Sequence, residues 1–208
     1  MGYDLSHMVI IDRSAECDRR MYGTLQPGYK RMGMLCHATA CRQVGGSSEA
    51  FLLSYHAPKS SADQLIRRDG SIVQLMPPGA FSYHSGESHW EGITDSAGTL
   101  NMPFYGVEIE NTNDGREPYT HEQIVSAAAT YAYKCALNQW PNDRRIAKHY
   151  EVATSHVTLQ NGAIWVVYGR KSDPANFPWG IFWQIVWGIR ADWPVERFGI
   201  PLWVPPNI

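Results

Sequence analysis

Charge is scarce in this chain, and so are cysteine and long apolar runs. Only 18% of the 208 residues are Asp, Glu, Lys or Arg, and the formal net charge is −2. Without a positive surplus there is no electrostatic footprint for nucleic acid or for an anionic membrane. No apolar run approaches the roughly 18 residues that a membrane span needs, so no stable membrane association is expected. The first residues, Met1 to Ser6, lack the basic region and long apolar stretch of a secretion signal, and Met8 to Ile11 is too short to supply one. The four cysteines, Cys17, Cys36, Cys41 and Cys135, form no Cys-x-x-Cys pair and follow no regular spacing. That favours thiols kept reduced over a disulfide framework. There is also no internal repeat and no low-complexity linker.

What is present is apolar, turn-rich and aromatic: 44% hydrophobic residues, 18 Gly, 13 Pro and 8 Trp. This composition and length fit one domain with a substantial core. Residues 1–32 read as an extended lead-in, and Met34 to Ala40 as a short strand. Gly45 to Ser48 reads as a loop and N-cap before a helix over Glu49 to His56. Asp69-Gly70, between Leu65–Arg68 and Ser71–Leu75, is a strong hairpin signal, and Asn161-Gly162 is another, between Val157–Gln160 and Ala163–Tyr168. Residues 79–103 read as a long loop. Tyr105 to Glu110 alternates, with Val107 and Ile109 on one face and Glu108 and Glu110 on the other.

Thr120 and Gln123 form a capping box before a helix that carries Ile124, Ala127, Ala128, Tyr131 and Cys135 on one stripe. Pro141 is expected to close it. Ile146 to His149 reads as a short strand. Pro178 then opens a final helix with Trp179, Trp183 and Trp187 at helical spacing, most simply a core stripe. Strands interleaved with helices give an α/β class: a single domain with a central mixed sheet flanked by helices. The tail from Ala191 is too short for a second domain and is expected to wrap back over the first.

The chemistry-bearing residues cluster in sequence order. Lys171-Ser172-Asp173-Pro174 puts an ammonium and a carboxylate into one irregular stretch, with His149 upstream and His37 at the end of the first strand. Taken singly, each histidine is as compatible with a structural role, and Asp173 with a turn or a helix cap. Taken together, His37, His149 and Asp173 supply the three protein ligands of a catalytic zinc site, which leaves a fourth position for water. Hydrolysis of an amide also needs a proton acceptor and a stabiliser for the oxyanion. Glu108, on the polar side of an otherwise apolar strand, can be the base, and Lys171 can face the developing negative charge. A solvated strand face and a surface lysine are the plain alternatives for those two.

These pieces, in this order, resemble the type 2 N-acetylmuramoyl-L-alanine amidases, the fold shared with peptidoglycan recognition proteins and phage endolysins. His37-Ala38-Thr39-Ala40 resembles the first-ligand motif, and Leu65 to Gln74 the family hairpin. Tyr83 to Ser88 is similar to its His-x-Gly-x-Ser loop. Gly106 to Glu110 is similar to the strand carrying the catalytic Glu, and Gly169 to Pro174 with Phe177 and Trp179 to the closing motif. The resemblance runs over about 34–179, within one amidase domain spanning 1–208, and leaves 180–208 as a helix and a Trp/Pro-rich tail.

The resemblance implies Zn2+ held by His37, His149 and Asp173 in a surface groove, Glu108 as base and Lys171 as stabiliser. It also implies substrate contacts from His84 and Thr39. Two departures stand out. Asp63 occupies a place where the family commonly has His, and Ala153 to Tyr168 is inserted between the second ligand and the Lys-x-Asp-Pro motif. The insertion is expected to be a hairpin forming one groove wall. The implied function is a monomeric peptidoglycan amidase. With neither secretion signal nor wall-binding domain in view, a phage endolysin held in the host cytoplasm until release to the cell wall is the expected setting. A cytosolic amidase recycling muropeptides is the alternative within the enzyme class. A non-catalytic peptidoglycan receptor is less suited, because such proteins typically lose a zinc ligand and this chain keeps all three.

Overall fold

The computed structural model describes residues 8–40, 47–140, 145–161 and 164–190. In chain order the elements are β1 (Ile10–Asp12), β2 (Tyr22–Thr24), β3 (Gly33–Ala38), α1 (Ser47–Leu53), β4 (Gln64–Ile66), β5 (Ile72–Gln74), β6 (Ala80–Ser82) and β7 (Phe104–Ile109). There follow α2 (His121–Asn138), β8 (Ile146–Lys148), α3 (His149–Val152), β9 (Thr154–Thr158), β10 (Ile164–Tyr168) and α4 (Trp179–Arg190). A six-stranded sheet in the order β1-β5-β4-β7-β3-β8 is the centre of the molecule. Only the β4–β5 pair is antiparallel, joined by the Asp69-Gly70 turn; all other neighbours run parallel, so the sheet is mixed as the α/β pattern implied.

Every residue of β3 is buried. A parallel strand covered on both faces reads as a continuous apolar run, and that is what Met34-Leu35-Cys36 does. Pleat alternation sends Met34, Cys36, Val107 and Ile109 to one face, where they pack against α2 and α4. Leu35, Phe104 and Ala147 point to the other face. His37 pairs with Glu108 in the β3–β7 register, so these two side chains leave the same face at the carboxyl ends of neighbouring parallel strands. In open α/β sheets that edge is where sites form.

The capping box of α2 is present: Thr120 accepts from the Gln123 amide while the Gln123 side chain accepts from the Thr120 amide. The apolar stripe Ile124, Ala127, Ala128, Tyr131 and Cys135 is buried. Cys17, Cys36 and Cys135 are buried thiols.

Four expectations need correction or relocation. The lead-in contributes β1, an edge strand parallel to β5, and β2, which pairs with β6 inside the stretch read as a long loop. α2 ends earlier than Pro141 because Gln139 adopts the left-handed conformation, its amide turning back to Ala136 and Cys135. The tryptophans of α4 are not the core stripe. Phe182, Ile185, Val186 and Ile189 fill the core, Trp179 and Trp183 pack at its margin, and Trp187 is 57% exposed, stacked on Trp183. A helix so apolar all round cannot be divided into faces by its large residues alone. The N-cap expected within Gly45–Ser48, the turn at Gly162 and the tail from Ala191 fall wholly or partly outside the described residues. Among the described residues, no helix is long and apolar enough to cross a membrane.

Candidate metal centre

Three separate segments bring the candidate ligands together. His37 is the fifth residue of β3, and β8 delivers His149 directly into α3 beside it. Asp173 comes from the irregular stretch after β10. That stretch is held by the Tyr150 amide donating to the Asp173 carbonyl at 3.0 Å, and by the Ala175 amide donating to Asn113 Oδ1 at 2.7 Å. Phe177, buried edge-on against Tyr119, anchors it from below.

The geometry converges on a point. His37 Nδ1 lies 3.0 Å from His149 Nδ1, while Asp173 Oδ2 lies 2.9 Å from the His149 atom and 3.4 Å from the His37 atom. All three residues are buried. The outer nitrogen of His149 faces the Ser85 carbonyl at 3.1 Å; a carbonyl only accepts, so the proton sits on Nε2 and Nδ1 is left as a bare donor of electrons. Burial and the neighbouring His149 push His37 down to about 4, so it is neutral at ordinary pH. Burial pushes the Asp173 carboxyl up, but the imidazoles of His149 and His37 beside it outweigh that and hold the group well below the usual carboxylate range. Two imidazole nitrogens and one ionised oxygen at this spacing suit a small divalent cation.

Glu108 stands beside this cluster with Oε2 buried and without a hydrogen-bond partner. Burial raises its carboxyl to about 8, the Asp173 charge adds to the shift, and Lys171 opposes it. Lys171 is exposed, yet its charge acts on both Glu108 and His37, which places it at the mouth of the site.

The two remaining candidates sit differently. Thr39 is half-buried just past β3, its hydroxyl donating to the Asn111 carbonyl and accepting from the Asn111 amide, each at 3.3 Å. It bridges the ends of β3 and β7. His84 is buried behind His37, with its Nδ1 3.0 Å from His37 Nε2.

Asn101 carried no sequence signal, and Asp63 only that of a departure. Asn101 Oδ1 accepts from the amides of His84 and Ser85 and from the Ser85 hydroxyl, pinning the turn that supplies the carbonyl to His149. Asp63, the departure from the family pattern, pairs with buried Arg31 at 2.8 Å and accepts from the Gly106 amide and the Ser82 hydroxyl. It therefore fixes the backbone of β7 two residues before Glu108. Removing one partner of a buried pair leaves a charge uncompensated, so Asp63→Ala is expected to cost about 3–5 kcal/mol in urea unfolding. Stability near wild type would show that Arg31 finds another partner.

The inserted stretch forms the antiparallel pair β9–β10. It attaches to the 84–90 loop through the Thr154 amide on the Glu87 carbonyl, the contact of the His156 ring with the Glu87 carboxylate, and Tyr168 Oη at 3.3 Å from His89 Nδ1. Leu159, Val166, Val167 and Tyr168 are exposed on it.

Comparison with known proteins agrees with this architecture. The family model described as N-acetylmuramoyl-L-alanine amidase matches residues 27–176. The curated 1,6-anhydro-N-acetylmuramyl-L-alanine amidase AmpD of Enterobacter cloacae is 37% identical over 73 residues. That match spans 34% of this chain and about a third (36%) of the relative's length. Among solved structures, a selenomethionine AmpD derivative superposes with a TM-score of 0.61 at 21% identity, covering 89% of this chain and 99% of that one. AMPDH3 from Pseudomonas aeruginosa, in complex with an anhydromuramic pentapeptide, gives 0.56 at 22% identity, covering 81% and 65%. A mutant endolysin from Bacillus subtilis gives 0.55 at 17% identity, covering 86% and 99%. At these identities the structural likeness is one of fold, and the match over residues 27–176 settles the family: this chain belongs to the N-acetylmuramoyl-L-alanine amidases.

Proposed function

We propose that this chain is a zinc-dependent amidase that hydrolyses the bond between the lactyl group of N-acetylmuramic acid and L-alanine in peptidoglycan. The observation that carries this reading is the convergence of His37 Nδ1, His149 Nδ1 and Asp173 Oδ2 beside an unpartnered Glu108 oxygen. Bound there, zinc would polarise the scissile carbonyl and lower the pKa of water towards neutrality. The chain's own residues do the rest. Glu108 takes a proton from the attacking water and returns one to the departing L-alanine nitrogen. The C–N bond breaks, and the water oxygen stays on the lactyl carbon as carboxylate. Lys171 faces the negative charge that builds on the carbonyl oxygen. Its exposure suits a group that meets substrate only once the groove is filled.

The substrate we propose is the intact wall polymer, as for an endolysin kept in the host cytoplasm until release. The exposed β9–β10 pair supports this, since Leu159, Val166, Val167 and Tyr168 offer apolar surface on a stretch joined to the loop that backs His149. A second reading, action on soluble 1,6-anhydro-muropeptides, is favoured by the AmpD relative. Initial rates on purified sacculi and on anhydro-muropeptides separate them. The first reading expects solubilisation of sacculi at low enzyme concentration; turnover of the small substrate with inert sacculi would establish the second.

Ser155 and Val167 are register partners, so residues 156–166 can be replaced by a two-residue Asn-Gly turn without opening the ladder. Fold and zinc content are expected to survive, while the ratio of the two rates shifts. Loss of metal or of cooperative unfolding would make the pair part of the core.

A further inference from the structure

We propose that His84 is a positioning residue that fixes the tautomer of His37 and thereby aims a bare Nδ1 at the metal. The identity of the ion rests on the zinc reading above; the placement of the protons rests on geometry. His84 Nε2 lies 3.2 Å from the Phe104 carbonyl, which has no proton to give, so the ring must donate there. A neutral imidazole has one proton, which leaves His84 Nδ1 as an acceptor. That atom is 3.0 Å from His37 Nε2, so His37 donates through Nε2 and its own Nδ1 is bare.

With the Ser85 carbonyl ordering His149 in the same way, both Nδ1 atoms at the centre are acceptors 3.0 Å apart. Two acceptors so close repel each other unless a cation lies between them and Asp173. The relay is what makes the pocket demand a positive ion.

The rest of the structure holds His84 rigidly. Its amide donates to Asn101 Oδ1 at 2.8 Å. Its ring lies against Gly106, where a Cβ would come within 2.4 Å of the ring's Cγ, so only glycine leaves room. Arg31 donates to the same Phe104 carbonyl at 3.1 Å, and Asp63 holds the Gly106 amide. A second proton, on Nδ1, would make His84 a cation near that guanidinium and turn its bond to His37 round, leaving the Phe104 contact as it is. The buried Arg31–Asp63 pair, which touches no ligand, thereby sets the backbone on which the relay is built.

Two variants and one direct measurement test the proposal. His84→Asn keeps an oxygen acceptor near the position of Nδ1, whereas His84→Leu fills the space with carbon. Zinc affinity, read by competition with a chromophoric chelator, is expected to fall about 10- to 100-fold in the Leu variant. The Asn variant should retain most of it. A packing role predicts the opposite order, because leucine fills the apolar volume better; equal affinities or that reversed order would overturn the proposal. Should the Leu variant fail to fold, long-range proton–nitrogen correlation spectra of the wild-type imidazoles decide the matter. They are expected to place the protons on Nε2 of both His84 and His37, and a proton on His84 Nδ1 refutes the relay. Absence of any zinc-induced shift at His37 and His149 would instead count against the zinc reading, leaving the observed tautomers to decide for or against His84.

Discussion

Glu108→Gln is expected to lose activity by about 100- to 10,000-fold, the range that general-base catalysis contributes, while keeping its metal. The substitution preserves shape and removes the proton acceptor. Glu108 touches none of the three candidate ligands by hydrogen bond, and its Oε2 has no partner to lose. Lys171→Ala removes one stabiliser of the developing oxyanion, a loss of about 100- to 1,000-fold. Because that contact strengthens only as charge develops, kcat and kcat/KM should fall together.

Glu110→Gln is the control. It lies two residues on, past the end of β7, and its Oε2 accepts from the Arg68 amide at 3.1 Å, which an amide oxygen can also do. Near-normal activity is expected. A dead Glu110→Gln beside an active Glu108→Gln would mean that the wrong carboxylate has been assigned.

A pH effect accompanies this in the metal-free protein. Glu108 is raised from 4.5 to about 8, so the folded state holds a proton that the unfolded chain releases between those values. Its contribution to stability is present below about 4.5 and lost as the pH rises through about 8. Urea midpoints at pH 6 and pH 9 should therefore drop more for metal-free wild type than for metal-free Glu108→Gln. An equal drop would mean that Glu108 is already ionised in the fold.

Stripping the metal should abolish activity altogether, and adding zinc should restore it. The three candidate ligands lie outside the apolar clusters that fill the core, so the metal-free protein should keep its helical and sheet content. What it loses is the linkage term, about 2.7 kcal/mol when free zinc stands at 100 times its dissociation constant. A chelator titration followed by both lysis rate and thermal unfolding reads the two effects at once. Undiminished activity in the stripped protein would remove the metal from the account.

Much of this was legible in the sequence where the signal is local. Asp69-Gly70 forces a tight turn, and the Thr120–Gln123 box closes on itself, so neither needs the rest of the fold. The convergence of His37, His149 and Asp173 was legible because two imidazoles and a carboxylate are poor core residues. The placement of His84 was not. Nothing in its sequence neighbourhood signals the 3.0 Å approach to His37, which only the fold creates. Asp63 was legible only as a departure, because its partner Arg31 lies in a stretch without pattern. The Trp stripe of α4 misled for a physical reason: spacing defines a face, but which face meets the core depends on the facing helix.

The most direct test of the central claim is mass spectrometry of the products released from purified peptidoglycan by the zinc-loaded protein. The account predicts stem peptides with a free L-alanine amino terminus, glycan strands ending in intact N-acetylmuramic acid with a free lactyl carboxylate, and no new reducing ends. New reducing ends appearing in step with solubilisation would contradict it, and would make Glu108 part of a glycosidase acid pair.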